Sequence, residues 1–196
     1  MLRAVGSQQT PRFGPGWESV LAAAQVGSGW AFTRLFEAFA GPVAGYLRSQ
    51  GAADHQGAAN EVFLRAFRDI AAFRGTEEKF RAWLFTIAHH LIIDERRRSS
   101  RRPVETELSD GAERSSPVAP AAEAVALEEL GSERVRAVLA TLVPDQRDVL
   151  LLRILADMTC VEVAAALGKS PGAVRQLQRR ALQSLRRELS TEAIPL

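Results

Sequence analysis

A cluster of arginine and glutamine side chains near the C-terminal end has the chemistry to read the bases of DNA. Arg175, Gln176, Arg179 and Arg180 lie close together in the sequence. Arginine can bind guanine through N7 and O6, and glutamine can bind adenine through N6 and N7. The alternative is the solvated basic face of an ordinary helical hairpin. The choice depends on the elements that present these side chains.

The flanking residues predict a helix-turn-helix around this cluster. Thr159 and Glu162 have the spacing of a capping box, and Gly168 follows the last apolar position of the first helix, where a left-handed residue is favoured. Ser170 suits the cap of the second helix and Pro171 suits its first turn. The predicted buried stripe of the second helix is Val174, Leu177, Ala181 and Leu185. This order of elements is typical of DNA-reading domains.

Charge is distributed unevenly along the 196 residues, although the net charge is only +2. A run of arginines ends at Arg102, the stretch from Pro103 to Glu133 is mainly acidic, and the C-terminal helix is basic again. Two basic regions separated by an acidic one suggest two contacts with a polyanion. The hydrophobic share of 46% and the charged share of 24% are those of a globular protein.

Several classes of protein are disfavoured by composition. No apolar run approaches the length of a membrane span, and the N-terminus lacks the continuous apolar core of a secretory signal. Cys160 is the only cysteine, which excludes an internal disulfide, and its expected role is that of a small apolar filler. These features predict a cytoplasmic protein.

Apolar periodicity predicts an all-α chain, because no segment alternates with the period of a strand. We expect two small helical domains, an N-terminal bundle and a C-terminal helix-turn-helix domain, joined by a flexible linker. Gly41-Pro42 is expected to interrupt the bundle's early helical pattern. The predicted boundaries are a disordered tail at 1–16, the bundle at 17–98, an acidic linker at 99–122 and the second domain at 123–190.

Two motifs in fixed order resemble the extracytoplasmic-function (ECF) sigma factors of bacterial RNA polymerase. The first, from Glu61, is EVFLRAFRDIAAFRGTEEKFRAWLFTIAHHLIIDERRR. The second, from Leu142, is LVPDQRDVLLLRILADMTCVEVAAALGKSPGAVRQLQRRALQSLRR. The resemblance covers most of residues 28–98 and 125–189. It implies a factor without catalytic residues, metal or cofactor that binds core RNA polymerase and reads promoter DNA.

The resemblance assigns residues of the bundle to the −10 element, which is opened and captured as a single strand. Aromatic rings offer stacking and basic side chains offer phosphate contacts, as strand capture requires. The assigned −10 residues are Arg74, Gly75, Lys79, Phe80, Arg81, Trp83, His90 and Arg97. For Phe80 and Trp83 core packing is the alternative, and for Arg97 the alternative is a solvated helix end.

The −35 element is assigned to the helix-turn-helix, which reads it as duplex. Arg175, Gln176, Arg179 and Arg180 are expected in the major groove, while Ser170, Gly172 and the helix start hold phosphate. The sequence does not separate the arginines that read bases from those that touch phosphate.

The resemblance also implies contacts with the clamp and the flap of the large polymerase subunits. The clamp residues are Asp54, Asn60, Glu61, Phe63 and Leu64, and the flap is expected on the helices around Leu139 to Leu155. At residues 57–59 the chain has Gly-Ala-Ala where the family has an aspartate and larger aliphatic residues, which weakens the predicted helix. An anti-sigma protein is a further expected partner that no residue identifies.

Two other functions remain open at this level. His90 and Asp94 are four residues apart, a spacing that could bind metal, but no third ligand cluster follows. A two-domain helix-turn-helix regulator that acts without core polymerase would share the second motif. It would have no use for the first, and it would bind duplex DNA as a dimer.

Overall fold

The computed structural model describes residues 13–101 and 134–192, and within these two ranges it is helical with no strand. The prediction of an all-α fold is confirmed. The helices are α1 (Trp17–Gln25), α2 (Gly29–Ser49), α3 (His55–Asp69), α4 (Glu77–Arg101), α5 (134–140), α6 (Pro144–Ile154), α7 (Cys160–Leu167) and α8 (Pro171–Glu192). Short 3-10 turns occupy Gly14–Gly16 and Ile70–Ala72. No helix in these ranges is long and apolar enough to cross a bilayer.

Helices α1 to α4 enclose a core rich in aromatic rings. Phe39, Tyr46, Phe80 and Phe85 are fully buried, and the rings of Phe39 and Phe80 lie 5.7 Å apart. Each such side chain contributes about 1.5–3 kcal/mol through removal of apolar surface from water. This core fixes α4 against α2 and thereby the start of α4, where the predicted −10 residues lie.

Gly41 and Pro42 do not interrupt the second helix, contrary to the sequence prediction. Pro42 lies inside α2, which continues to Ser49. Leu35 and Phe39 before the proline and Leu47 after it are all buried in the same core. A proline in a helix interior costs about 3 kcal/mol. Apolar burial on both sides of Pro42 outweighs that cost.

The N-terminal domain begins before the residue at which periodicity placed it. The Phe13 ring packs 5.9 Å from Trp17 and 6.1 Å from Phe39, so residues 13–16 are attached to the bundle. The rest of the predicted tail lies outside the described residues. At the other end of the domain α4 continues to Arg101, beyond the predicted end at residue 98, and the remainder of the linker also lies outside.

The C-terminal domain is a small cluster in which α6 and α7 pack on α8. Val149, Leu152, Val163, Val174 and Ala181 are fully buried at its centre. Small and branched side chains fill this core, in contrast to the aromatic core of the first domain. The long α8 therefore has one buried stripe and a broad surface left for polar residues.

The two domains meet through buried polar groups. Gln50 donates a hydrogen bond from Nε2 to the Asp148 carboxylate at 2.7 Å, and both residues are buried. Arg96 donates to the Gln50 side-chain oxygen at 2.7 Å and to its backbone oxygen at 2.8 Å. Arg81 of α4 pairs with Asp157, which precedes α7, at 3.3 Å.

Candidate nucleic-acid interface

The helix-turn-helix is built by caps that join neighbouring residues. Glu162 donates its backbone N–H to Thr159 Oγ1 at 3.3 Å, and Thr159 donates its own to the Glu162 carboxylate at 2.7 Å. This is the predicted capping box. Gly168 ends α7 with φ 62°, the left-handed conformation expected there. Ser170 Oγ then accepts from the backbone N–H of Ala173 at 3.2 Å and caps α8.

The predicted −35 side chains share the exposed surface of α8. Arg175, Gln176, Arg179 and Arg180 are all exposed, while Val174 and Ala181 are buried in the core. Arg179 donates to the Gln176 side-chain oxygen at 3.0 Å. Gly172 is exposed in the first turn of α8. The arrangement brings together all the side chains that the sequence assigned to the −35 duplex.

The second candidate surface is the loop 73–76, which joins the Ile70–Ala72 turn to α4. Arg74 is exposed and donates through Nη1 to the backbone oxygens of Ala71 and Phe73, both at 2.7 Å. Gly75 has φ 154°, and a Cβ there would lie 3.0 Å from Lys79 Cδ. Glycine is therefore favoured where the loop passes closely over α4.

The first turn of α4 is held by Thr76. Its Oγ1 accepts from the backbone N–H of Lys79 at 3.5 Å, and its side-chain hydrogen bond to Glu78 lowers the pKa of that carboxyl. Negative charge at this helix start is also stabilised by the helix dipole. Lys79 is exposed, and its Cδ lies 3.0 Å from the position that a Cβ would take at Gly75, the residue after Arg74. The loop and the helix start thus present two exposed basic side chains.

Aromatic rings form the floor below this loop, and the structure corrects the prediction for one of them. Phe80, predicted to contact DNA, is fully buried, with the rings of Phe73 and Trp83 5.4 Å and 5.7 Å away. It supports the loop from the core because its position on α4 faces α1 and α2. Trp83 is half-buried and stacked on Phe73 at 5.2 Å.

The remaining predicted −10 residues lie along α4 toward the second domain. Arg81 is buried with its Nη2 paired to Asp157, and its Nε–H has no acceptor among the residues that the structure describes. His90 and Arg97 are exposed. Both line a cleft of about 660 Å³ between the domains, together with Asp94, Asp145 and Lys169. His90 and Arg97 thus lie at the cleft, and Arg81 at its ion pair with Asp157.

The predicted clamp residues occupy the start and middle of α3. Leu64 is 65% exposed and Asn60 is exposed, whereas Phe63 is buried. Asp54 caps the helix by accepting from the backbone N–H of Gly57 at 2.8 Å. A Cβ at Gly57 would collide with the Asp54 carboxylate. Gly57, which is expected from the sequence to weaken this helix, is the residue that leaves room for the Asp54 cap.

The helices predicted to bind the flap contain an apolar groove. Its volume is about 390 Å³ and its lining is almost entirely apolar. The lining includes Val135, Val138, Leu139, Leu151, Ile154 and Leu185. Val135 and Ile154 are more than half exposed, which leaves apolar surface available to a partner.

His89, the neighbour of His90 on α4, is hydrogen-bonded within the protein. His89 is buried, and its Nδ1 lies 3.0 Å from the Tyr46 hydroxyl. Burial lowers the pKa of His89, and burial together with the Asp148 charge raises the pKa of Tyr46. Among residues 13–101 and 134–192, no group of three or more His, Cys, Asp or Glu side chains could hold a metal ion.

Sequence reasoning missed the residues that connect distant parts of the chain. Trp17 and Gln25 of α1 donate side-chain hydrogen bonds to the loop 73–76 and its flank. Gln50 and Asp148 connect the domains although they are 98 positions apart. Only the presence of a tryptophan and polar side chains among apolar positions marks them in sequence, and that pattern names no partner.

Comparisons with known proteins match both domains. Residues 35–102 match the family model Sigma-70 region 2, and residues 138–187 match Sigma-70, region 4. The ECF RNA polymerase sigma factor SigD of Mycobacterium tuberculosis is 31% identical over 181 residues, 88% of this chain and 83% of SigD.

Two further similarities agree with these matches. The ECF RNA polymerase sigma factor BldN of Streptomyces coelicolor is 34% identical over 174 residues, 87% of this chain, which thereby spans 64% of the length of BldN. The solved structure of CnrH in complex with the cytosolic domain of CnrY is similar with a TM-score of 0.65 and 26% identity. That similarity covers 89% of this chain and 97% of CnrH.

Proposed function

Because this chain belongs to the ECF family of RNA polymerase sigma factors, we propose that it binds core RNA polymerase and directs it to specific promoters. The observation that carries the proposal is the presence of two different nucleic-acid surfaces in one chain. One is a capped helix with exposed Arg and Gln for duplex DNA, and the other is a glycine loop with basic side chains over aromatic rings. A regulator acting without polymerase has no need of the second surface.

The −35 element is read by α8 in the major groove under this proposal. Arg175, Gln176, Arg179 and Arg180 are exposed and adjacent, as base contacts require. The backbone N–H of Gly172, in the first turn of α8, suits a phosphate. The capping box and the Gly168 turn fix the angle between α7 and α8, so the approach to the groove is set in advance.

The −10 element is captured as a single strand by the loop 73–76 and the adjoining start of α4. Arg74 and Lys79 supply positive charge to the strand, and the half-buried Trp83 supplies an aromatic ring for stacking. Phe80 acts from beneath the loop rather than on the DNA. Such a surface favours the opened strand over the duplex without any covalent chemistry, so we assign no catalytic residue, cofactor or metal.

Arg81, His90 and Arg97 extend this basic surface along α4. Arg81 pairs with Asp157 of the second domain, and among the described residues its Nε–H has no acceptor. A buried guanidinium with an unsatisfied donor is costly, so it gains from a phosphate partner once the domains separate. His90 and Arg97 border the cleft between the domains and become fully accessible in the same movement.

Core polymerase is bound through two surfaces under this proposal. The exposed Leu64 and its neighbours Asn60 and Glu61 form the α3 surface for the clamp. The groove between α5, α6 and α8 forms the surface for the flap. The domain boundaries proposed from the sequence are 17–98 and 123–190, and the structure adds residues 13–16 to the first domain and continues α4 to Arg101.

We also propose an anti-sigma protein as a partner, since the similar CnrH was solved in complex with CnrY. Binding to core polymerase would take place in the cytoplasm, where we propose that the protein acts.

In-vitro transcription with purified core polymerase tests the proposal. Addition of this protein to core enzyme and a library of genomic fragments is expected to yield discrete transcripts whose start sites share two upstream elements. Core enzyme alone is the control. Tight binding of the protein alone to paired duplex half-sites, with no transcripts from the reconstituted enzyme, would support the regulator instead.

A further inference from the structure

The N-terminal helix α1 is connected to the loop 73–76 by hydrogen bonds between residues that are far apart in the sequence. Trp17 donates its indole N–H to the backbone oxygen of Gly75 at 2.9 Å. Gln25 donates from Nε2 to the backbone oxygen of Phe73 at 2.8 Å and to that of Ile70 at 3.3 Å. The loop is therefore held at its beginning and at its middle by one helix.

A fourth hydrogen bond fixes the far end of the same loop. The backbone N–H of Phe13 donates to the buried carboxylate of Glu77, the first residue of α4, at 3.1 Å. All four hydrogen bonds come from residues 13–25 and end on residues 70–77. Ring packing reinforces them, because the Trp17 ring lies 5.3 Å from the buried Phe80.

These contacts determine which side of the loop is free. The carbonyl oxygens of Phe73 and Gly75 accept hydrogen bonds from the side chains of α1. Arg74, which lies between them, is exposed and donates to the backbone oxygens of Phe73 and Ala71. Phe73 O thus receives one donor from Gln25 and one from Arg74, which couples the position of Arg74 to α1.

We propose that Trp17 and Gln25 are positioning residues for promoter opening: they hold the loop 73–76 in the conformation that captures the −10 strand. The inference rests on the proposed function and adds α1 to the machinery that it describes. Preorganisation is the physical reason, since a loop already fixed in its binding shape loses less conformational entropy on capture. A site also loses selectivity when its supporting residues leave it slightly loose.

The experiment uses the full chain in complex with core polymerase and the promoter mapped by transcription. Binding is measured to single-stranded oligonucleotides of the −10 region, in the native sequence and with each base substituted. Gln25→Met keeps the length of the side chain and removes both donors, and Trp17→Phe removes the indole N–H while it keeps an aromatic ring. Each variant is expected to lower affinity for the native strand about three- to tenfold. The preference among bases should become flatter.

Controls separate positioning from folding. Trp30→Phe makes the same chemical change at a tryptophan that is 54% exposed on α2, and it should leave the base preference unchanged. Affinity for −35 duplex and for core polymerase, together with the thermal midpoint of the first domain, should stay close to wild type in Gln25→Met. A parallel fall in these three quantities and in the affinity for the −10 strand, with an unaltered base preference, would mean that α1 is merely structural. That result would overturn the inference.

The two proposals fail in different ways. If the wild-type complex shows no affinity for the −10 strand, the assignment of the loop to strand capture falls and the role of α1 falls with it. If the wild type captures the strand with clear base preference and both variants match it, only the role of Trp17 and Gln25 is refuted.

Discussion

The two surfaces of this sigma factor that we propose to read DNA are held in shape by contacts of very different range. On the −35 side, Thr159 bonds to Glu162 and Ser170 bonds to Ala173, each pair three residues apart. On the −10 side, Gln25 and Trp17 reach loop residues that are 48 and 58 positions away. The first surface is specified by local sequence, and the second exists only when its whole domain is folded.

The two surfaces also differ in how much they depend on buried side chains. The −35 side chains on α8 are exposed and depend on the backbone of one helix for their position. The −10 surface rests on the buried Phe80, and on Trp83 stacked against Phe73. A duplex presents its base edges in a regular groove, so a rigid helix suffices to read it. An opened strand has no fixed shape, so the protein must provide one.

The largest effect is expected from removal of both basic side chains at the −10 loop. Arg74→Ala combined with Lys79→Ala should reduce promoter opening by about 3 kcal/mol, roughly a hundredfold, because two charge-assisted contacts to the strand are lost. Permanganate footprinting measures opening, and a gel shift measures the closed complex, which should change much less. Arg68→Ala, at an exposed arginine near the end of α3, is the matched control. Equal opening by wild type and double variant would remove both residues from the site.

A smaller and more local loss is expected in the −35 reader. Arg179→Ala should weaken binding to the −35 duplex by about 1–3 kcal/mol and relax the preference at one base pair if Arg179 reads a base. Affinity measured over single-base variants of the −35 element gives both quantities. Arg186→Ala lies on the same helix, also exposed, and serves as the control. A uniform loss over all sequences with a shallower salt dependence would assign Arg179 to phosphate instead.

The difference in range explains which parts of the structure the sequence could predict. Capping pairs three residues apart and a glycine after the last apolar position can be identified by eye, and Thr159, Glu162 and Gly168 all have the predicted roles. The pairing of Trp17 with Gly75 has no such pattern, since it depends on how α1 and α4 pack. Long-range polar contacts are therefore the part that the sequence leaves undetermined.

The residues whose structural role differs from or adds to the expectation follow the same rule. An aromatic residue such as Phe80 serves either stacking on DNA or core packing, and only the packing of α4 on α2 distinguishes the two. The local cost of Pro42 is visible in the sequence, whereas the burial on either side of it is not. For Gly57 the sequence shows only a low helix propensity, and the structure adds that the Asp54 carboxylate occupies the space of the missing Cβ.

A pair of glycine substitutions sharpens the comparison further. Gly75 and Gly168 both have positive φ, but a Cβ at Gly75 meets Lys79 and Phe73 within 3.3 Å whereas at Gly168 nothing lies within 4 Å. Gly168→Ala should cost about 1 kcal/mol of stability through backbone strain alone and leave base preference intact. Gly75→Ala should cost about 1–2 kcal/mol and also weaken −10 strand capture, because Lys79 must move. Denaturant unfolding and strand binding measure the two effects. Equal behaviour of the two variants would contradict the proposed close fit of the loop over α4.

The smallest effect concerns the buried junction between the two domains, where His89 faces Tyr46, Asp148, Arg96 and His90. Burial lowers the pKa of His89 below its ordinary value of 6.5. In the pH window just below 6.5 the unfolded chain therefore binds more protons than the folded one, so the free energy of unfolding falls as pH falls through that window. This contribution to stability is fully present above pH 6.5.

His89→Gln should remove the contribution, so its stability should decline less steeply between pH 6.5 and the folded pKa than that of the wild type. Urea unfolding at a series of pH values measures the slope, and His90→Gln, the same change at the exposed neighbour, is the control. Parallel slopes in wild type and His89→Gln would show that His89 gains and loses its proton alike in the folded and unfolded chain. The junction would then lack the desolvated character that distinguishes it from the exposed −35 reader on α8.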